Sequence, residues 1–430
     1  MRYEAIDNKL FQLNRKNFVK HMKPGSVAVF TSNEPMTKSA DATYNWRQNP
    51  DLFYLTGVDQ ENTFLILFPD APLKEWREML FVRRTDEIIK VWEGEKLTRE
   101  QASVVSGISE VRWSDSFEST ISAILYQAEN IYLNTNENDR SGDTTESAEF
   151  KLAVQIKKKF PLHSFFRAAP IMAKLRTEKS PVEIALLKQA IEITRAGFLR
   201  VLKFVKPGVW EFEVEAEMTH EYIRKRATGH AYTPIVATGK NACVLHYIQN
   251  DSQCHNGDLL LLDCGAEYAN YNADLTRTIP VNGRYSKRQK DVYNAVLRVM
   301  KEARTMMKEG MVLNDFNREV GNIMQAELVK LKLISSSDIK NQHPKNPVYK
   351  KYFPHGTAHF LGLDVHDIGN RYTKLKAGAV LTCEPGIYIP EEKIGIRIEN
   401  NIQITKGKPL DLMANVPVEA EEIEDLMHSK

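Results

Sequence analysis

Short runs rich in β-branched and aromatic residues alternate with amphipathic stretches through the first part of the chain. Five of these runs predict strands: Ser26–Thr31, Thr63–Phe68, Met79–Arg83, Glu110–Trp113 and Asn130–Leu133. Apolar residues at helical spacing lie between the runs, and strands that alternate with helices are typical of a layered α/β domain. We therefore predict an N-terminal α/β domain over residues 1–170.

A long amphipathic helix is predicted near the start of the second domain, residues 171–430. Ser180, Pro181 and Glu183 have the pattern of a capping box, with proline at the first helical position. Apolar residues then recur at helical spacing as far as Phe198. Similar turn sequences follow two of the helical stretches, so we expect a pseudo-symmetric domain in which a sheet packs against paired helices.

Length and composition narrow the class of protein. The 430 residues exceed the usual size of a single hydrophobic core and favour two domains. With 58 basic and 56 acidic residues, the net charge of +2 gives no sign of binding to nucleic acid or to a membrane surface. The sequence has no apolar run of membrane-spanning length, no signal peptide pattern and no CxxC pair among its four cysteines. We expect a soluble, cytoplasmic protein with reduced thiols.

Four carboxylates and one histidine occur in the otherwise apolar runs of the second domain. They are Asp263 in LLLLDCGAEY, Asp274 in ADLTRTIPVNG, His359 in HGTAHFLGLDVHD, Glu384 in TCEPGIY and Glu399 in GIRIENN. Any one of these acids alone would be an ordinary turn or surface residue. Buried together, they would repel one another and lose their charge unless a cation held them. Two divalent metal ions would balance the four carboxylates, and oxygen ligands with one imidazole suit Mn²⁺, Co²⁺, Fe²⁺ or Zn²⁺.

Two predicted hairpins would bring these acids together in pairs. A turn at residues 269–270 would place Asp263 opposite Asp274, give or take a bulge. A turn at residues 390–393 would place Glu384 opposite Glu399. The two glutamates are equally far from the turn, Glu384 before its first residue and Glu399 after its last. Two hairpins that each present a pair of acids would form a carboxylate-rich metal site.

Three further histidines, His246, His355 and His366, lie close in sequence to strands or motifs of this set. A lone histidine is usually structural or exposed, but three beside a metal site can donate hydrogen bonds to a carbonyl or to an oxyanion. The spacing of His355 and His359 is that of the HExxH zinc helix. Gly356 stands where that motif has its glutamate, so this sequence lacks the motif's general base.

The five motifs, in this order, resemble those of the pita-bread metallopeptidases. The closest resemblance is to the aminopeptidase P family, the Xaa-Pro aminopeptidases, and prolidase comes next. Residues 44–57, YNWRQNPDLFYLTG, resemble the signature of the N-terminal domain of that family, and residues 421–427 resemble its usual ending. The resemblance covers nearly the whole chain. It implies an α/β N-terminal domain followed by an α+β pita-bread (creatinase/aminopeptidase-like) catalytic domain.

The resemblance also implies a set of metal ligands. Asp263 would bind one metal ion, and Asp274 and Glu399 would bridge both ions. His359 and Glu384 would complete the second site. The ions are expected to be two Mn²⁺ per subunit, although Co²⁺, Zn²⁺ or Fe²⁺ can support such sites.

The catalytic and substrate-binding residues are implied in the same way. Glu384 would carry a proton from the attacking water to the leaving nitrogen. His246, His355 and His366 would contact the substrate and stabilise the intermediate. Arg397 and Tyr388 would orient the ligands, with Arg397 counted among the catalytic residues and Tyr388 among the substrate-binding residues.

The expected reaction is hydrolysis of the bond between an N-terminal residue and a following proline, by attack of a hydroxide that bridges the two ions. The partners would be peptides with proline at the second position, and the assembly a homodimer or a homotetramer. Asp41, Arg47 and Trp92 resemble residues that reach an active site in aminopeptidase P oligomers, but they are as readily ordinary core or surface residues. Residues 333–353 could form a loop at the rim of the site or a structural elaboration.

The sequence leaves three other functions to consider. A prolidase would cleave dipeptides alone, and the sequence does not show whether the pocket is closed beyond the proline. A creatinase-like hydrolase without metals, or an inactive protein that serves as a binding partner, would lack some of the ligands. All five ligand residues are present in this chain, which argues against both.

Overall fold

The computed structural model describes residues 3–138, 140 and 145–429, which form two compact units. Glu4–Arg176 make up the first unit, and the residues from Thr177 onwards make up the second together with Tyr3. Within the described part of the chain, no helix is both long and apolar enough to cross a membrane. All four cysteines lie among the described residues and are free thiols.

A mixed sheet forms the centre of the N-terminal unit. The strands of this unit are β1 (Ser26–Thr31), β2 (Thr37–Ser39), β3 (Ala42–Thr43), β4 (Phe64–Leu67), β5 (Glu78–Val82), β6 (Glu110–Trp113), β7 (Asn130–Leu133) and β8 (Ser164–Arg167). Its helices are α1 (Lys9–Val19), α2 (Pro50–Thr56), α3 (Glu87–Glu93), α4 (Arg99–Ser106), α5 (Phe117–Leu125), α6 (Ala148–Lys159) and α7 (Ala169–Thr177).

Six of the described strands form this sheet in the order β6-β5-β4-β1-β7-β8. Strand β1 pairs antiparallel with β4 and parallel with β7, and all of its residues are buried, as expected for a central strand covered on both faces. The five predicted strands are confirmed, with ends that differ by at most one residue. Strand β8 was not predicted, because it is a short edge strand whose partly exposed residues give no apolar pattern.

The second unit combines small antiparallel sheets with long helices. Its strands are β9 (Gly229–His230), β10 (Ile235–Thr238), β11 (Leu259–Cys264), β12 (Ala266–Tyr268), β13 (Tyr271–Asn272), β14 (Leu275–Pro280), β15 (Val380–Cys383), β16 (Gly386–Ile389), β17 (Ile394–Arg397), β18 (Asn400–Gln403) and β19 (Leu410–Asp411). Its helices are α8 (Pro181–Phe204), α9 (Glu211–Arg224), α10 (Lys287–Met306), α11 (Leu313–Lys330), α12 (Ser336–Asn341) and α13 (Ala420–His428).

Helix α8 begins as the sequence predicts. The Ser180 hydroxyl accepts a hydrogen bond from the Glu183 backbone N–H, and the Glu183 carboxylate accepts one from the Ser180 N–H at 2.8 Å. This capping box satisfies two of the N–H groups that a helix start leaves unpaired. Helix α8 packs on α9 and on strands β12 and β13, while α10 packs on α11 and on the β15–β17 region. The predicted arrangement of a sheet with paired helices is therefore confirmed.

The first predicted hairpin forms, but its register differs from the prediction. Ala269 and Asn270 both adopt positive φ angles, 52° and 64°, and make a two-residue turn. The ladder then pairs Asp263 with Thr276, and not with Asp274 as predicted. The pairs on both sides of Gly265 share one register, so the hairpin contains no bulge that could shift Asp274 by two positions. Asp274 lies two residues before Thr276, the partner of Asp263, and therefore on the same face of the strand pair. The two aspartates are thus diagonal neighbours across the hairpin.

The second predicted hairpin has the predicted register. Strand β16 pairs with β17 from Gly386↔Arg397 to Ile389↔Ile394, around a turn that ends at Lys393 with a φ of 55°. Strand β15 pairs with β18 in the same register. Glu384 and Glu399 lie in the short gap between the two ladders, at corresponding positions of the two arms.

Gly265 should be essential for the first hairpin, because a Cβ at this position would lie 1.8 Å from the Ala273 carbonyl oxygen. Gly265→Ala forces the two arms apart next to Asp263, and overpacking of this kind costs roughly 1–3 kcal/mol. Chemical denaturation of the variant measures the loss in free energy of unfolding. Gly229→Ala is the matched control, since its Cβ meets nothing within 4 Å and it lies in the strand paired with β12. Equal stability of the two variants would contradict the prediction.

Candidate metal centre

Three of the predicted ligands lie side by side in the interior of the second unit. One ligand atom each of Asp274, His359 and Glu399 lies within 4.8 Å of the other two, and all three residues are buried. The His359 Nε2 atom is 3.4 Å from Asp274 Oδ2 and 3.6 Å from Glu384 Oε1. The hairpins and the segment around His359 therefore bring four predicted ligands to one point.

The orientation of the His359 ring suits a metal ligand. Its Nδ1 lies 2.9 Å from the Phe360 carbonyl oxygen, which can only accept a hydrogen bond. Nδ1 therefore carries the proton, and the Nε2 lone pair can face the acids. The backbone fixes the ring further, because the His359 N–H donates to the Thr382 hydroxyl at 3.1 Å.

Asp263, at the end of β11, has a partner for each carboxylate oxygen. Its Oδ1 accepts from the Tyr232 hydroxyl at 2.5 Å, and its Oδ2 accepts from Arg397 Nη2 at 2.5 Å. The same tyrosine hydroxyl lies 2.6 Å from Asp274 Oδ1. Tyr232 therefore joins the two aspartates that the hairpin places as diagonal neighbours.

Glu399 provides the clearest sign that a cation belongs here. Its Oε2 accepts from the Thr276 hydroxyl at 2.6 Å, but its buried Oε1 has no hydrogen-bond partner among the described residues. A buried carboxylate oxygen without a donor is costly, and a coordinated cation removes that cost. The residues present thus fit a metal ion.

The pKa values of the acids support the same conclusion. Burial, followed by the charges of Asp274 and Glu384, raises the pKa of Glu399 well above its ordinary value. Burial also raises the pKa of Asp263, against the opposing effect of Arg397, and it raises the pKa of Glu384 to about 7. Full ionisation of this set at neutral pH therefore needs additional positive charge.

Arg397 connects the acids to a second row of side chains. It donates from Nη2 to Asp263, from Nη1 to the Tyr388 hydroxyl at 2.8 Å, and from Nε to Thr276 at 3.2 Å. Because arginine can only donate, the Tyr388 O–H is left to donate to His355 Nε2, which lies 2.8 Å away. His355 Nδ1 then donates to the Gly356 carbonyl at 2.8 Å. The four side chains form a hydrogen-bond chain between His355 and Asp263, in which Arg397 donates in both directions.

The remaining predicted site residues occupy the edges of this cluster. The His366 ring meets His359 edge-on, with ring centroids 4.5 Å apart. Burial, followed by Arg397, lowers the pKa of His355 to about 3, with a smaller contribution from His246. His246 itself is exposed, in the turn region that follows β10. His355 therefore lies beside Glu384, 3.8 Å from its carboxylate, with the exposed His246 nearby.

The N-terminal unit contains Asp41, Arg47 and Trp92, the three residues that resemble those reaching an active site in aminopeptidase P oligomers. Asp41 is exposed in the turn between β2 and β3, and Trp92 is exposed on α3. Arg47 is partly buried. All three stay predictions.

The segment 333–353 contains α12 and ends against the site residues. The Tyr349 ring packs closely on Gly321 of α11. The Tyr352 carbonyl accepts a hydrogen bond from the Tyr388 N–H at 2.9 Å, and the Phe353 ring meets His355 edge-on with centroids 4.9 Å apart. Its last residues therefore support two residues of the hydrogen-bond chain.

Tyr232 is the residue of this site that the sequence analysis missed. Nothing in the local sequence distinguishes it from the other tyrosines among the 16 in the chain. Only strand pairing points to it: Ile235 of β10 pairs with Asp263 of β11, and Tyr232 lies three residues before Ile235. Strand pairing between β10 and β11 would have been needed to find it.

Metal binding should stabilise the protein more at higher pH. Because the pKa values of these acids are raised, the folded, metal-free protein holds more protons than the unfolded chain. Its free energy of unfolding therefore falls as the pH rises, and for Glu384 this fall lies between pH 4.5 and about pH 7. Metal ions release those protons and remove the repulsion. Thermal unfolding should show a larger increase in Tm with Mn²⁺ at about pH 7.5 than at about pH 5.5. Equal increases would contradict this, and Glu399→Gln should weaken the difference.

Removal of the Tyr232 hydroxyl should weaken metal binding. Loss of a group that orients metal ligands typically lowers affinity roughly 10- to 100-fold. Isothermal titration of Tyr232→Phe with Mn²⁺ measures this change. Tyr293→Phe is the control, because it removes a hydroxyl that donates to the Val418 carbonyl at 2.9 Å from α10. Affinities that match wild type in both variants would show that Tyr232 does not orient the aspartates.

The chain is similar to known proteins over nearly all of its length. Residues 185–406 match the sequence model of Metallopeptidase family M24, and residues 11–132 match that of the aminopeptidase P N-terminal domain. The chain is 34% identical to the Xaa-Pro aminopeptidase of Escherichia coli strain K12, with 98% of each chain covered. It is also 34% identical to the Xaa-Pro aminopeptidase of Haemophilus influenzae, with 97% of each covered.

The structure of aminopeptidase P from E. coli with the inhibitor Pro-Leu matches with a TM-score of 0.89, at 32% identity and over 99% of each chain. These findings confirm the predicted fold class, an α/β N-terminal domain followed by a pita-bread catalytic domain. They do not favour the prolidase alternative, because these relatives are named Xaa-Pro aminopeptidases. The chain belongs to metallopeptidase family M24, in its aminopeptidase P branch, and the acid cluster is the candidate site for its divalent metal ions.

Proposed function

We propose that this protein is an Xaa-Pro aminopeptidase that uses two Mn²⁺ ions to hydrolyse the bond between an N-terminal residue and a following proline. The observation that carries the proposal is the convergence of Asp274, His359, Glu384 and Glu399, with Asp263 attached through Tyr232. Asp263, Asp274, His359, Glu384 and Glu399 would hold these ions. When bound, paired divalent ions polarise the scissile carbonyl and lower the pKa of water.

Glu384 is the proposed proton carrier of the reaction. Its carboxylate lies between His359 and His355, 3.6 Å and 3.8 Å from the nearest ring nitrogens. The nitrogen of an Xaa-Pro bond belongs to a tertiary amide without an N–H, so it must receive a proton in order to leave. A carboxyl group next to the attacked carbonyl can take a proton from water and deliver it to that nitrogen.

The histidines are proposed to hold the substrate and the developing oxyanion. His366, edge-on to His359, can donate to an oxyanion formed beside the metal ligands. His355 is held by Tyr388, which Arg397 holds in turn, so its ring has a fixed position beside the acids. His246, which is exposed, is proposed to contact the incoming peptide.

The assembly and its location are part of the proposal. Helix α3 exposes three apolar side chains, Ile88, Val91 and Trp92, which are 70–83% accessible, and a homodimer or homotetramer would cover such a face. Asp41, Arg47 and Trp92 would then lie near an active site in the oligomer. Free thiols at all four cysteines fit a cytoplasmic protein.

A panel of short peptides tests the proposed function. With Mn²⁺ present, Ala-Pro-Ala should release alanine, whereas Ala-Ala-Ala should stay intact and EDTA should abolish the activity. Glu384→Gln should lower kcat roughly 10²- to 10⁴-fold, the usual contribution of a positioned acid or base. Cleavage of Ala-Pro without cleavage of Ala-Pro-Ala would overturn the proposal in favour of a dipeptidase.

A further inference from the structure

An ion pair with no role in the proposed chemistry lies buried in the second unit. Lys179 Nζ is 3.0 Å from Asp367 Oδ2, and each side chain is 1% exposed. Lys179 directly precedes the N-cap of α8, and Asp367 directly follows His366 in the sequence. Two charges that far from water are unusual, and the acid of this pair adjoins a histidine of the proposed site.

The segment from His359 to Asp367, here the His359–Asp367 loop, closes around this ion pair. The Asp367 N–H donates to the Phe360 carbonyl at 2.9 Å, which joins the two ends of the loop. A Cβ on Gly362 would lie 2.2 Å from Asp367 Oδ2 and 2.9 Å from Lys179 Cε. The loop therefore requires glycine at this position because the ion pair passes so close to its backbone.

Lys179 is a rigid anchor for the loop. Its backbone N–H donates to the Gly378 carbonyl at 3.0 Å, and the next residue begins the capping box of α8. Glu183, a buried acid of that capping box, also lies within the influence of the lysine charge but is held by Ser180 and Tyr271. The backbone of Lys179 is therefore fixed at the start of a long helix, and its side chain reaches from there to Asp367.

The two histidines of the loop lie at its opposite ends. The backbone of His359 is paired with Thr382 in both directions, since the Thr382 N–H donates to the His359 carbonyl at 3.0 Å. His366 lies at the other end, one residue from Asp367. A buried ion pair adds little net stability compared with apolar residues of the same volume, but it fixes geometry because breaking it leaves a buried charge.

We propose that Lys179 and Asp367 are positioning residues for His366. By holding the far end of the His359–Asp367 loop, the pair sets the His366 ring edge-on to His359 at 4.5 Å. The effect on catalysis rests on the proposed function, in which His366 contacts the oxyanion. The effect on the position of the ring does not depend on the substrate.

Asp367→Asn tests the proposal in two measurements on the full chain, the first with Mn²⁺ bound and the second with Zn²⁺ bound. In the first, kcat on Ala-Pro-Ala should fall roughly 10- to 100-fold, as expected for a misplaced group, while KM and Mn²⁺ affinity stay within about threefold of wild type. The same substitution in a His366→Ala background should change kcat less than about twofold, because Asp367 acts through His366. Multiplicative effects of the two substitutions would overturn the proposal.

The second measurement is independent of activity. In protein with ¹⁵N-labelled histidine and diamagnetic Zn²⁺ in place of paramagnetic Mn²⁺, signals assigned to His366 by their loss in His366→Ala should shift or broaden in Asp367→Asn, while the His355 signals stay in place. An unchanged His366 spectrum overturns the positioning role. Altered His366 signals in a protein whose wild type does not cleave Xaa-Pro peptides would keep the positioning role and refute the proposed function instead.

Two further variants separate positioning from folding. Glu183→Gln removes a buried charge beside the same lysine without touching the loop, so it should change Tm but leave kcat within about twofold. If Asp367→Asn does not fold, Lys179→Met with Asp367→Leu replaces the pair by apolar side chains, which is often tolerated. That double variant should fold and still show the loss in kcat, and wild-type kcat in it would overturn the proposal.

Discussion

The electrostatic cost of placing four carboxylates side by side in the interior is the constraint on which the rest of the second unit depends. Arg397 balances the charge of Asp263, and the Tyr232 hydroxyl lies within hydrogen-bond distance of both aspartates. The Thr276 hydroxyl donates a hydrogen bond to one carboxylate oxygen of Glu399. The other oxygen of Glu399 is buried without a donor in the described part of the chain. Divalent ions supply the missing charge, so the protein component of the site is complete only as a metal-binding site.

The same constraint explains why the acids lie on hairpins. A hairpin fixes the distance between two residues through its turn, and the turns at residues 269–270 and 390–393 were recognisable from the sequence. The register of the second hairpin followed from its turn alone. In the first, the prediction of facing aspartates was wrong by two positions, because the ladder continues in one register through Gly265, where the arms approach most closely.

What the sequence could not predict depends on contacts between residues far apart in the chain. Tyr232 acts on Asp263 and Asp274 through a separate strand, and Lys179 reaches Asp367 across 188 positions. Periodicity and capping patterns describe neighbours along the chain, so they predict the strands and the start of α8 but not these pairings. Strand β8 was missed for a related reason, since a short, partly exposed edge strand needs its partner to be recognised.

Together, the hairpins bring the proposed acid ligands to one point, and the His355–Tyr388–Arg397 chain and the His359–Asp367 loop carry the histidines beside them. Anomalous diffraction from crystals grown with Mn²⁺ tests the central claim of this account most directly. It predicts two manganese peaks roughly 3.5–4 Å apart, with Asp274 and Glu399 in contact with both. A single peak, or manganese bound away from these acids, would contradict the claim that this acid cluster is a dinuclear metal site.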